Sequence, residues 1–538
     1  MSTEILFLGS VITVDESHPR AEALLVRDGR IAAVGDEAEV RRQATTDARV
    51  VELGERALLP GFVEAHGHPS DTAVVLSRYM IDIRPVTLAT ADEVLRAIHD
   101  GIAARPEGVV FNGWDGLLQT GLSDPSLQQL DEWGGETPLV ILHNSGHVVY
   151  FNTAAARRSG IDRDTPDPVG SRWEKDAAGE LTGKGFEVGT VLALVGDTLA
   201  AAQHDLPALL TSYLGSLNAV GITTVSDMSW DAQKRPALDA ARAGGGLSAR
   251  LRLYEMSGPG VVASVAPQNG DELVRQVGIK TWADGSPWVG NILLSFPYLD
   301  TPATRSIGVQ PGSHGSANYT REQLDEVVER YFPDGWQLAC HVHGDLAVDR
   351  VLDCWEALLE RHPRTGHRLR MEHVGAMTPA QFERAAALGV TASILIDHVY
   401  YWGEVLVDDL FGPEHGGPWA NARAALDAGL KVSFHNDGTV TPVEPLRNMA
   451  VAMTRTTRSG RHLEGAAGVT LDEAIRAETL DAAWQLFSEH EVGSLEVGKF
   501  ADLVVLSADP YTVKPDALPL LEVVETYLAG ERVYGVSQ

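Results

Sequence analysis

Cysteine, positive charge and long apolar runs are all scarce in this sequence. Only two cysteines occur in 538 residues. Cys340 and Cys354 are too few for a disulfide scaffold and lack the C-x-x-C spacing of a thiolate zinc site, so a reducing compartment is expected. Lysine and arginine number 43 against 74 aspartates and glutamates, a formal balance of −31. Such a surface repels phosphate backbones and anionic lipid, which argues against nucleic acid and membrane as partners; the excess acid reads as a solvated surface. No run of about 18 apolar residues offers a membrane span. Met1-Ser-Thr-Glu-Ile-Leu-Phe-Leu8 has neither the basic stretch nor the apolar core of a secretion signal. A cytoplasmic protein is expected.

What remains is an ordinary globular composition, 44% apolar and 22% charged. The length would hold several average domains, yet α/β barrels absorb that much chain as one unit. Residues 4 to 53 read as short strands: Ile5-Leu-Phe-Leu8, then Ala23-Leu-Leu-Val-Arg27 and Ile31-Ala-Ala-Val34 joined across Asp28-Gly29, a type I′ hairpin signal. The C-terminus behaves alike, with Ala501-Asp-Leu-Val-Val-Leu506 and with Val523-Val-Glu-Thr-Tyr-Leu528 turning at Ala529-Gly530 into Arg532-Val-Tyr534. The two β-rich ends are expected to share one sheet.

Between them, apolar runs of strand length alternate with amphipathic helical stretches, the pattern of parallel strands with crossover helices. Thr320-Arg-Glu-Gln323, Thr378-Pro-Ala-Gln381 and Thr470-Leu-Asp-Glu473 are capping boxes that start helices, and Gly389 ends the second of them. Candidate barrel strands end near His66, His143, Asp227, Glu255, Lys280, His341, His373, Ile394 and Asp437. That is one more than a (β/α)₈ barrel holds, so one of them lies elsewhere. Chemistry in such barrels gathers at the C-terminal ends of the strands, which directs attention to polar residues that close apolar runs.

His66 and His68 stand two apart on a strand, so both imidazoles project to one side, as one metal ion requires. Alone the pair is a weak signal. Lys280 lies in the apolar run Val277-Gly-Ile-Lys-Thr-Trp-Ala-Asp-Gly285. Burial lowers an amine's pKa, and the neutral amine takes up CO₂ to become a carbamate, an oxygen ligand able to bridge two cations; a lysine that snorkels to solvent or pairs with Asp284 is the alternative. His341 and His343 share a face, and spacing alone does not choose between them. His373 and Asp437 close later strands. Four imidazoles, a carbamate and a carboxylate would hold two divalent ions without thiolates, which favours zinc and leaves iron, manganese or nickel open.

With these residues in view the whole chain resembles the amidohydrolase superfamily and, within it, the YtcJ-like group of metal-dependent hydrolases. The carriers are Leu59-Pro-Gly-Phe-Val-Glu-Ala-His-Gly-His68, Gly146-His147 through Asn152, Ile279-Lys-Thr-Trp-Ala-Asp-Gly-Ser286, His341-Val-His-Gly-Asp345, Glu372-His373, Asn436-Asp437 and Gly493-Ser-Leu-Glu-Val-Gly-Lys-Phe-Ala-Asp-Leu503. The resemblance implies that His66, His68, His341 and His373 are ligands of one or two Zn²⁺ ions, Lys280 a carbamate bridge, and Asp437 both ligand and catalytic proton shuttle. It thus selects His341 over His343. It also implies a (β/α)₈ barrel over 58–487 and a small composite β-sandwich from 1–57 and 488–538. Asn436-Asp-Gly-Thr-Val440 and His343 depart from the group's usual pattern and bear on pocket detail.

The activity implied is hydrolysis of the C–N amide bond of N-substituted formamides, such as N-benzylformamide, to formate and a primary amine. Another amide, a carbamate or a cyclic amide is the alternative on the same site, and a non-catalytic structural relative is a third reading, which the intact ligand set opposes. His147, Trp114, Trp282, Trp288 and Trp402, with Tyr400 and Tyr401, fall near strand ends and are candidates to contact substrate in an apolar slot. The expected partners are a small-molecule amide and a second copy of the chain in a homodimer.

Overall fold

The computed structural model describes residues 4–257 and 263–535. At its centre stand eight parallel strands: β1 (Phe62–Glu64), β2 (Ile222–Trp230), β3 (Arg250–Met256), β4 (Val274–Trp282), β5 (Gln337–Val342), β6 (Arg370–His373), β7 (Thr391–Ile394) and β8 (Val432–Phe434). They hydrogen-bond in that order, with helices in most crossovers, as in a (β/α)₈ barrel. The barrel is nearly closed. The seam between β8 and β1 is stitched by a side chain, with Glu64 accepting the Asn436 amide at 2.8 Å. Burial raises the Glu64 carboxyl to about 8, so near neutral pH it bridges the seam largely as an uncharged acid.

Strands buried on both faces tend to be apolar throughout, but β2, buried at every residue, also carries Thr223, Thr224, Ser226, Asp227 and Ser229. Alternation then sorts the side chains. On β5, Leu338 and Cys340 join the large core beneath the helices, whereas Ala339 packs in the barrel interior with Val63 and Tyr254. Lys280 is the register partner of Ala339, and Glu372 that of His341, so Lys280, His341 and Glu372 all lie on that interior face. The helices start as expected, with capping boxes at Thr320, Thr378 and Thr470.

The surplus strand is the one ending at His143. Leu139–His143 belongs to a separate six-stranded sheet built from residues 81–186, between β1 and β2 in the chain. It pairs antiparallel with Val148–Phe151 across a short turn. The tight hairpin leaves no room after His143 for the crossover helix that leads from one parallel barrel strand to the next. Three large side chains, Phe111, Trp114 and Tyr150, help to form that sheet's own core.

Both chain ends enter one seven-stranded sheet. Its middle pairs Leu503–Leu506 antiparallel with Arg49–Pro60, which runs parallel to Glu4–Ile12. Asp28 and Gly29 have φ of 51° and 79°, and Ala529 and Gly530 of 47° and 76°, the paired left-handed residues of type I′ turns. Among the described residues, no helix is long and apolar enough to cross a membrane.

A pH-dependent contact secures the start of this sheet. Glu4 accepts hydrogen bonds from Thr45 N and Thr45 Oγ1 at 2.7 Å and from Arg27 Nε at 2.5 Å. Thr45 first and Arg27 second hold its carboxyl down at about 2. A depressed carboxylate stabilises the fold above its unfolded pKa of about 4.3 and stops doing so as pH falls through the folded value. Glu4→Gln is therefore expected to cost roughly 1 kcal/mol at pH 7, discounted for solvent screening. The gap in unfolding midpoint should shrink between about pH 4 and pH 2; an equal gap at pH 7 and pH 2 refutes the assignment.

Candidate metal centre

The C-terminal ends of the barrel strands bring His66, His68, Lys280, His341, His373 and Asp437 to one cavity of about 270 Å³. His66 and His68 follow β1 directly. Their Nε2 atoms lie 3.6 Å and 3.1 Å from Asp437 Oδ1. His66 Nδ1 donates to Glu372 Oε2 at 2.6 Å, and Arg370 grips that carboxylate through Nε and Nη2 at 2.7 and 2.8 Å. With Nδ1 committed, His66 offers Nε2 to the cavity, and Lys280 Nζ stands 3.2 Å from it. His341 Nε2 donates to the Gly285 carbonyl at 2.7 Å, which leaves Nδ1 for a ligand.

Backbone strain helps to aim two of these side chains. Strand alternation places Glu372 inside the barrel and would turn His373 outward, but His373 adopts φ 72° and its ring reaches the cavity. Asp437 has φ 52°. Non-glycine residues in the left-handed region are uncommon and gather at functional sites.

Among the described residues, three groups hold ligand atoms within 4.8 Å of one another: His66, His68 and Asp437; His341, His343 and His373; His66, His373 and His435. His343 thus enters the cluster beside His341. Burial, together with neighbouring cations and imidazoles, drives His66, His341, His343, His373 and His435 well below the ordinary histidine value. They stand as neutral imidazoles, the form a metal binds. Burial likewise lowers Lys280 to about 8, so a minor fraction of the amine, far larger than for an exposed lysine, is uncharged near neutral pH. Burial alone would raise Asp437, but the hydrogen bond and charge of His68, with the charge of Lys280, outweigh it and hold the carboxylate at about 2. The donor set fits a divalent ion: nitrogen and oxygen ligands converge, and His373 Nε2 is buried without a hydrogen-bond partner.

His147 sits beside this cluster, its ring centroid 4.7 Å from that of His341. Its Nδ1 donates to Glu187 at 2.7 Å. Burial lowers its basicity, but the charge and hydrogen bond of Glu187 prevail and the net shift is upward. His147 and Trp282 both line the cavity.

The other tryptophans do not. Trp114 belongs to the core of the six-stranded sheet. Trp288 and Trp402 stack at 4.6 Å and 13°, and Trp402 Nε1 bonds to Asp115 at 3.2 Å. All three are about 1% exposed, and none borders the cavity. Large aromatic area at a strand end or on a helix is drawn first into the core. Tyr400 and Tyr401 instead lie against the Arg447 guanidinium. The apolar wall comes from the helix Val188–Ala202, through Val188, Val191, Leu192, Val195 and Leu199, together with Met80 and Leu142. Sequence reasoning missed this helix, along with Glu372 and Glu187. Its signal was a face-independent apolar composition, which a simple solvent-exposed helix does not have.

The amidohydrolase family model matches residues 49–534, and a model of a bacterial imidazolonepropionase-like composite domain matches residues 23–46. N-substituted formamide deformylase of Arthrobacter pascens is 31% identical over 97% of this chain and 96% of that protein. The Bacillus subtilis (strain 168) protein YtcJ, named as an amidohydrolase, is 26% identical over 98% of each chain. The crystal structure of an uncharacterized metal-dependent hydrolase from Pyrococcus horikoshii OT3 superposes with a TM-score of 0.73 at 21% identity, covering 96% of this chain and 99% of that one, a likeness of fold.

Proposed function

This chain belongs to the amidohydrolase family, and we propose that within it the protein hydrolyses N-substituted formamides to formate and a primary amine. In this reading His66, His68, Lys280, His341, His373 and Asp437 hold one or two divalent ions, zinc first among them. When bound, such ions polarise the substrate carbonyl and make a water nucleophilic near neutral pH.

The protein's own groups do the rest. The Asp437 carboxylate takes a proton from the attacking water and delivers it to the departing nitrogen, because an amine leaves poorly unless it is protonated as the C–N bond breaks. His147, held by Glu187, presents Nε2 toward the carbonyl oxygen. Lys280, if carboxylated by CO₂, would add an anionic oxygen to the donor set.

The observation that carries the substrate assignment is the cavity wall. Beyond the ligand cluster one side of the cavity is aliphatic, through Val188, Val191, Leu192, Val195 and Leu199, and among the described residues the lining contains no arginine; its one further lysine, Lys234, is already paired with Asp71 at 2.8 Å. A neutral apolar substituent on the amide nitrogen suits that wall, and a substrate carboxylate finds no free cation there. The deformylase of Arthrobacter pascens, 31% identical, supports the same reading.

The test is release of formate from N-benzylformamide, run beside N-acyl amino acids and cyclic amides on a preparation of measured metal content. Formate is expected, with activity abolished by chelation and restored by zinc. Cleavage of the other amides with no formate released would overturn the assignment.

A further inference from the structure

A chain of hydrogen bonds runs along the barrel interior beneath the ligand cluster, and its direction can be worked out donor by donor. It begins at Gln485 in the C-terminal helix Leu480–Gln485. The Gln485 amide nitrogen faces two backbone carbonyls, Ala392 O at 2.8 Å and Lys431 O at 3.2 Å. Carbonyls only accept, so the NH₂ group must lie on that side and Oε1 on the other. Ser433 Oγ is 2.6 Å from that Oε1 and must donate to it. A hydroxyl has one proton, so the 2.8 Å contact between Ser433 and Ser393 is a bond donated by Ser393. Ser393 Oγ, its own proton spent, accepts from His435 Nδ1 at 2.8 Å.

His435 and His373 are at most 1% exposed, and among the described residues neither ring is hydrogen-bonded to a carboxylate. A buried, unpaired imidazolium is costly, so both rings are neutral. His435 carries its proton on Nδ1 and has a lone pair on Nε2, which lies 3.0 Å from His373 Nδ1. That atom must donate. The remaining nitrogen, His373 Nε2, is the buried atom with no partner, and His373 lines the cavity whereas His435 does not.

We infer that the relay Gln485–Ser433–Ser393–His435 fixes the tautomer of His373 and aims its Nε2 lone pair at the metal position, so that His435 is a positioning residue and not a ligand. The inference rests on the metal reading above. It also decides among the ligand groups: the cluster of His66, His373 and His435 cannot act as three ligands while the His435 lone pair is occupied by His373. Residues outside the cavity, down to a helix near the end of the barrel segment, thereby set how tightly the site holds its ion. Partners that orient metal-bound histidines are typically worth about 10- to 100-fold in affinity.

The test measures zinc affinity by competition with a chelating dye, and the visible spectrum of the cobalt(II)-loaded protein, for wild type, Ser393→Ala, His435→Leu and His435→Gln. Thermal midpoints identify any variant that fails to fold. Ser393→Ala leaves every cavity residue in place and is expected to weaken zinc binding about tenfold and to shift the cobalt spectrum. His435→Leu should lose more, and His435→Gln, whose carboxamide oxygen can accept from His373, should recover most of that loss. Equal affinity and identical spectra in wild type, Ser393→Ala and His435→Leu would overturn the inference, as would an equal loss in the Leu and Gln variants. A wild type that takes up no zinc or cobalt sinks the metal reading itself.

Discussion

Asp437→Asn is expected to retain bound metal and to lose roughly 10²- to 10⁴-fold in kcat, the span that general acid–base catalysis contributes. The two side chains are isosteric, and asparagine is among the few residues that tolerate the left-handed backbone seen here, φ 52°. The carboxamide still presents an oxygen toward His68, where Asp437 Oδ1 now lies 3.1 Å from Nε2. The ability to take a proton and give it back is gone. A site with five other ligands should keep its ion, so metal content and turnover separate in this variant. Metal analysis and formate release on one preparation check the point, and wild-type turnover in Asp437→Asn would remove Asp437 from the proton path.

That separation depends on which groups lie close together, and the sequence was uneven on this. Lys280, His341 and Asp437 were legible because each ends or interrupts an apolar run, and a fixed period of two tells which face a strand residue takes. His143 met the same criterion and failed, because Val148-Val-Tyr-Phe151 returns too soon for a crossover helix. The tryptophans were ranked by proximity to strand ends, but three of them answered to area and filled cores. Partners of the ligands were invisible for a different reason. Glu372 meets His66 from 306 positions away and Gln485 meets Ser433 from 52; local periodicity carries no information about which distant side chains a barrel brings together. His373 is the sharpest case. Alternation points it outward from the face of Glu372, and only its φ of 72° returns it to the site.

The second large effect concerns how the terminal sheet is held to the barrel. Arg250 on β3 and Asp502 beside the strand Leu503–Leu506 form a two-pronged pair at 2.7 and 2.9 Å, with side chains only 3% and 1% exposed. Asp502 also accepts the Ala529 amide at 2.8 Å, and its carbonyl accepts Gly61 N at 2.9 Å. The guanidinium lies 3.9 Å over the Phe500 ring. Removing one member of a buried pair strands the other charge away from water, which costs far more than the pair's net contribution. Asp502→Asn keeps shape and the acceptor for Ala529, yet leaves Arg250 unpaired, and is expected to destabilise by roughly 3–5 kcal/mol. Replacing both members with Arg250→Met and Asp502→Leu removes the stranded charge and should recover most of that loss. Because the pair is buried, its effect should persist in high salt, where surface pairs fade. Chemical denaturation of the two variants against wild type, at low and high salt, checks both claims. A single variant within 1 kcal/mol of wild type, or a double variant worse than the single, would mean that apolar packing such as Phe62 and Val504 against Gly221, and not this ion pair, fastens the sheet to the barrel.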